Sequence, residues 1–127
     1  MSKETLSTDG APAALGPYSQ AVRAGGLIFV SGQLPIDPGS GRLERGAVSR
    51  QTEMALTAVR NILEEAGSGL EKVVKVTVFM TDLGGFAEVN EVFARFFPAD
   101  PPARSAVGVA ALPKGAGIEV DVIALDG

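Results

Sequence analysis

Cysteine, histidine and tryptophan are all absent from this 127-residue chain. Without cysteine there is no disulfide, no thiol nucleophile and no cysteine-ligated zinc or iron–sulfur site. Without histidine the commonest general base and metal ligand is missing, and Ser-His-Asp and Cys-His catalysis go with it. Basic residues are outnumbered, 11 against 15 acidic, for a net charge of −4. They form no run and are not interleaved with the six Phe and one Tyr, so nucleic acid is not an expected partner. Long apolar runs are missing as well: the longest uncharged stretches, 10–22 and 24–36, have 13 residues each and contain Pro or several Gly. They fall short of the roughly 20 residues that span a bilayer. The first residues show no secretory pattern, so a cytoplasmic protein without a membrane segment is expected. Phosphate-binding glycine loops, a G-x-S-x-G elbow and calcium-loop spacings are also absent. Any chemistry is left to carboxylates, arginine, lysine, hydroxyls and backbone groups.

What is present describes a globular chain. The hydrophobic fraction is 46% and the charged fraction 20%, enough for one domain over residues 1–127 with a core of its own. Residues 1–15 read as an extended lead-in. Gln20–Ala24 and Leu27–Ser31 flank Gly25-Gly26, a pair suited to the positive φ angles of a tight hairpin. Pro35–Gly41 is dense in turn formers and predicts a loop. Apolar residues at 48, 55, 59, 62, 63 and 66 predict a helix ending at Gly67. Lys72–Thr81 predicts a strand with Val74, Val76, Val78 and Met80 on one face and Val73, Thr77 and Phe79 on the other. A second helix is predicted over about Phe86–Phe97, stopped by Pro98, Pro101 and Pro102. Ala103–Val109 and Ile118–Leu125 are expected to close the chain as a hairpin through Pro113, Lys114 and Gly115.

The resulting order, β-β-α-β-α-β-β, fits an α/β (α+β) sandwich of one mixed sheet with two helices on one face. Two helices leave the other face uncovered, although the 72–81 strand is apolar on both. A second copy of the chain would cover it, so a homo-oligomer is expected; a long loop folded over the sheet is the alternative.

Two charged residues stand out in the C-terminal segment. Arg104 shares its strand face with Ala106 and Gly108, whose small side chains leave room for a ligand, and its planar fork suits a carboxylate. Glu119 interrupts a largely apolar run. Pattern alone also allows an Arg104–Glu119 ion pair within the sheet.

The segments Ala11–Ala21, Phe29–Pro38, Val76–Leu83, Phe86–Val92 and Pro102–Ser105, with Leu112-Pro113-Lys114 and Ile118-Glu119, resemble the RidA/YjgF reactive-intermediate deaminases in order and along nearly the whole chain. The resemblance implies a Bacillus chorismate-mutase-like fold and a homotrimer with clefts between subunits. It implies hydrolysis of 2-aminoacrylate/2-iminopropanoate and 2-iminobutanoate to 2-oxo acids and ammonia, with no metal or organic cofactor. By the same resemblance Arg104 is the carboxylate-binding residue, and Glu119 positions the attacking water and exchanges protons. Tyr18, the one tyrosine, becomes a cleft wall and hydroxyl donor. Ser31 and Gly32 present strand-end backbone, Gly32 being otherwise readable as a bulge. Asn90 on the second helix faces the cleft, and Ala106 stands where some members have cysteine, so only its backbone can take part. Lys114 is read as a surface residue. Two other functions are carried: a non-catalytic 2-oxo-acid-binding regulatory trimer and, from names given to some members, a ribonuclease or translation inhibitor.

Overall fold

A computed structural model describes residues 2–127. Its elements are β1 (Glu4–Leu6), β2 (Ala21–Ala24), β3 (Leu27–Gln33), α1 (Val48–Glu65), β4 (Val73–Met80), α2 (Phe86–Phe96), β5 (Ala103–Gly108) and β6 (Ile118–Leu125). The six strands form one mixed sheet in the order β1-β2-β3-β6-β4-β5, and both helices pack on one face, as the sequence predicts for an α+β sandwich.

Local chemistry accounts for most of these elements. Gly25 and Gly26 both take positive φ, 59° and 79°, and let β2 turn directly into β3. A Cβ at Gly26 would meet nothing within 4 Å, so the cost of a side chain there is backbone strain alone. Gly26→Ala is expected to lower stability by about 1–2 kcal/mol, measured by urea denaturation. Helix α1 ends at Gly67, where the sequence predicts it, with φ 84°. The Ser68 N–H donates to the Leu63 carbonyl at 2.8 Å and the Gly67 N–H to Glu64 at 3.0 Å, which satisfies carbonyls the last turn leaves open. Leu56, Val59, Ile62 and Leu63 of α1 and Val89 and Val92 of α2 are buried against Val76, Val78, Met80, Ile118, Val120 and Val122 of the sheet.

Three expectations are corrected. The lead-in contains β1, which pairs antiparallel with β2, so the order begins with three strands. The C-terminal hairpin does not form: β5 pairs parallel with β4 at the sheet edge, while β6 lies between β3 and β4. The physical reason is β4 itself, whose buried backbone needs a partner on each side, and α2 returns the chain to its free edge. Finally, Val74 is 41% exposed and does not share the buried face of Val76, Val78 and Met80. A bulge between Val73 and Lys75 shifts the register by one residue, so Val73 is the residue that turns inward.

The face away from the helices is open in the single chain. Phe29, Phe79, Val107 and Ile123 lie on it beside Thr77, Glu119 and Asp121, with Phe29 42% and Val107 39% exposed.

Candidate functional site

The expected site residues fall into two groups on opposite faces of the sheet. Arg104 pairs in parallel register with Val76, so its side chain emerges on the helix side. There its guanidinium lies over two aromatic rings of α2, 5.0 Å from the centre of Phe86 and 5.2 Å from that of Phe93. The ring faces attract the cation and orient its planar fork without consuming its N–H donors. None of the ion pairs among the described residues includes Arg104. Asn90, exposed on α2, lines the same hollow of about 510 Å³ with Phe97, Pro101 and Pro102. Ala106 shares the helix-side register of Arg104 through its pairing with Val78 but does not line that hollow.

Glu119 pairs antiparallel with Phe79 and points to the open face. Strand β4 therefore separates it from Arg104 in both position and side, and the alternative of an ion pair between them within the sheet is ruled out. The Glu119 carboxyl sits in a larger cavity of about 630 Å³, together with Tyr18, Ser31 and Gly32. Burial raises its pKa above the ordinary glutamate value, and the charge of neighbouring Asp121 raises it further. Asp121 is itself raised by burial, an effect that a hydrogen bond from Thr77 and the charge of Lys75 partly offset.

Gly32 explains how the carboxyl fits. The β3–β6 register shifts between Val30 and Gln33, so the bulge reading of Gly32 holds. A Cβ built on it would lie 1.8 Å from Glu119 Oε2, so only glycine admits the carboxyl at this place. Gly32→Ala is expected to push the carboxyl toward solvent and lower its pKa toward the ordinary value. A ¹³C carboxyl titration by NMR reads that shift.

The wall carrying Tyr18 is fixed by polar groups rather than by regular structure. Buried Gln20 accepts from the Thr8 N–H at 2.7 Å and donates to the carbonyls of Thr8, Ala11 and Pro12. The Ser31 hydroxyl donates to the Ser19 carbonyl at 2.6 Å, and the Ser31 N–H to Gln20 at 2.9 Å. Ser31 thus ties β3 to the Tyr18 segment and keeps lone pairs free toward the cavity. The Tyr18 ring lies against Gly16, within 3.6 Å of where a Cβ would stand, and is 55% exposed.

Lys114 is exposed, as the surface reading expects, and it also borders the Glu119 cavity from the turn Pro113–Gly115, in a left-handed conformation with φ 61°. Leu15, 79% exposed, and the Leu34–Pro38 segment line the cavity too and were not anticipated. The available signal was positional: the Leu112-Pro113-Lys114 turn feeds directly into the strand bearing Glu119.

The family model described as Endoribonuclease L-PSP matches residues 8–126. A RutC family protein of Pyrococcus abyssi is 48% identical over 98% of both chains. A Bos taurus protein named 2-iminobutanoate/2-iminopropanoate deaminase is 46% identical over 98% of this chain and 91% of its own. Among solved structures, the YjgF gene product of E. coli superposes with a TM-score of 0.93 at 43% identity, covering 98% of this chain and 99% of that one. RidA from the Antarctic bacterium Psychrobacter sp. gives a TM-score of 0.92 at 46% identity, over 96% and 98% of the two chains. Likeness of this extent in both sequence and backbone places the chain in the RidA/YjgF family.

Proposed function

We propose that this protein hydrolyses reactive 2-imino and 2-enamino acids to 2-oxo acids and ammonia. 2-Iminobutanoate and 2-iminopropanoate, the tautomer of 2-aminoacrylate, are the model substrates. The reaction takes place in clefts between copies of a homotrimer, and no metal or organic cofactor takes part. The observation that carries this reading is the Glu119 carboxyl, held in a cavity against Gly32 with its pKa raised by burial. The name borne by the 46% identical Bos taurus protein supports the same chemistry.

Arg104 holds the substrate carboxylate through paired N–H donors. The C2=N bond of the imine, protonated to the iminium, is attacked by a water that Glu119 orients and from which it takes a proton. Glu119 returns that proton to nitrogen, ammonia leaves as the C–N bond breaks, and the carbinolamine hydroxyl gives its proton back to Glu119 as the carbonyl of the 2-oxo acid forms. An enamine is first protonated at C3 to give the same iminium. Tyr18 and Ser31 present hydroxyls, and Gly32 its backbone, to the substrate from the Glu119 side; Asn90 and the backbone of Ala106 do so from the Arg104 side.

The placement of Arg104 and Glu119 on opposite faces of the sheet supports the proposed assembly. A substrate of a few carbon atoms cannot reach from one sheet face to the other, so Arg104 must come from a neighbouring copy. Joining the Arg104 edge of one copy to the Glu119 cavity of the next is a head-to-tail contact, which closes as a ring when the rotation between copies allows, and the proposed ring is of three. The exposed Phe29 and Val107 on the open face give that contact an apolar area to bury.

The test is a threonine or serine dehydratase reaction with this protein added. Faster ammonia release is the expected result. Unchanged release combined with calorimetric binding of 2-oxobutanoate would instead identify a non-catalytic binding protein. The ribonuclease reading in the family model's name fits poorly with a net charge of −4 and the lack of histidine.

A further inference from the structure

One buried amide outside the described site joins two parts of the Glu119 cavity. Gln51 stands at the end of the first turn of α1 and is 8% exposed. Both ends of its side chain are used. Nε2 donates to the Gly46 carbonyl at 3.0 Å, and Oε1 accepts from the Gly117 N–H at 2.9 Å.

Each anchor leads to the cavity. Gly117 lies two residues before Glu119 and two after the turn whose Pro113 and Lys114 line the cavity. Its carbonyl accepts from the Thr81 N–H at 3.2 Å, so the Gln51 bond completes its backbone pairing. A Cβ at Gly117 would stand 3.0 Å from Gln51 Oε1, so glycine there allows the close approach. Gly46 ends the segment that supplies Ile36, Asp37, Pro38 and Gly41 to the cavity wall. That segment folds back on itself through the Ile36–Leu43 bridge and a 2.8 Å bond from the Glu44 N–H to the Pro35 carbonyl.

We infer that Gln51 is a positioning residue: its amide ties the Pro113–Gly117 turn to the 35–46 segment and thereby fixes where Glu119 enters the cavity. Asn or Ser is too short to reach both anchors, and an apolar residue of the same size would leave the half-buried Gly117 N–H without its side-chain partner. The inference rests on reading Glu119 as the proton-exchanging carboxyl, so its test includes measurements that need no activity.

Gln51→Leu removes both bonds at nearly constant volume. It is expected to speed hydrogen exchange of the Gly117 amide by about tenfold or more. The NMR titration of Glu119 moves toward the ordinary glutamate range, and kcat for imine hydrolysis falls about tenfold with little change in KM. Gln51→Glu keeps the acceptor and should leave Gly117 protected. Gly117→Ala, which displaces Oε1 without deleting it, should shift the Glu119 titration in the same direction and serves if Gln51→Leu does not fold. A merely structural role would lower the Tm of Gln51→Leu without moving the Glu119 titration, and that result overturns the inference. So would unchanged Gly117 exchange, or Gln51→Glu exposing Gly117 as fully as Gln51→Leu. If no variant and no wild-type protein hydrolyses imines, the functional reading fails while exchange and titration still decide the role of Gln51.

Discussion

Arg104→Ala is expected to lower kcat/KM for imine hydrolysis by about 10²–10⁴-fold while leaving the fold intact. The magnitude follows from two charge-assisted hydrogen bonds to a carboxylate, about 1.5–3 kcal/mol each, with about 1.4 kcal/mol per factor of ten. The fold survives because Arg104 is exposed on the edge strand and joins no ion pair among the described residues. Its contacts with Phe86 and Phe93 are exposed cation–π contacts, of about 0.5–1 kcal/mol each. Arg104→Lys keeps the charge but neither the paired donors nor the flat stacking surface, so it should recover little activity. Steady-state kinetics with circular dichroism melting separates the two effects; an unfolded Arg104→Ala protein, or one as active as wild type, contradicts the assignment.

Glu119→Gln is expected to reduce kcat by about 10²–10⁴-fold, the usual contribution of a positioned acid–base group, with a smaller change in KM. In the wild type, kcat/KM should fall with acidity through a limb that lies above the ordinary glutamate range. The sign follows from the cause: burial disfavours the carboxylate, so protonation, which disables the base, occurs at a higher pH than in solvent. The same shift makes an opposite prediction for stability. A carboxyl whose pKa is raised in the folded state weakens folding at neutral pH, where it must ionise. The penalty is relieved as pH drops through the folded value and then the unfolded one. Glu119→Gln should therefore have a higher Tm than wild type at pH 7, and the gain should shrink as pH falls toward 4.5. An inactive variant that is also less stable at pH 7 would point to a packing role instead.

The sequence made some of this architecture legible and hid the rest for physical reasons. The β2–β3 hairpin and the end of α1 are written in glycines whose positive φ is a local requirement, so they can be read without knowing the fold. The placement of β5 cannot, because Ala103–Gly108 is short and small and would pair equally well with β6 or β4. Its partner is decided by α2, which carries the chain back to the free edge of β4. The same choice determines the geometry of the site. Whether Arg104 and Glu119 face each other depends on strand order and on the register Val76–Arg104 and Phe79–Glu119, none of which is a property of either residue's neighbours in sequence. Small residues beside Arg104 and the break at Glu119 marked both side chains as unusual, while their separation onto two faces emerged only from the sheet. Lys114 sits on a solvent-exposed turn, as its surroundings in sequence suggest, and only the fold shows that this turn also borders the cavity.

That separation makes the central claim directly testable, because two inactive proteins should rescue each other. Arg104→Ala and Glu119→Gln are co-expressed in equal amounts, the mixed assemblies are purified, and ammonia release from the dehydratase-generated imine is measured. If each cleft takes its arginine from one copy and its glutamate from the next, every mixed trimer regains one of its three clefts, and the purified mixed assemblies recover about a third of wild-type turnover. Activity no higher than that of either parent, in assemblies shown by native mass spectrometry to contain both chains, would contradict the shared cleft.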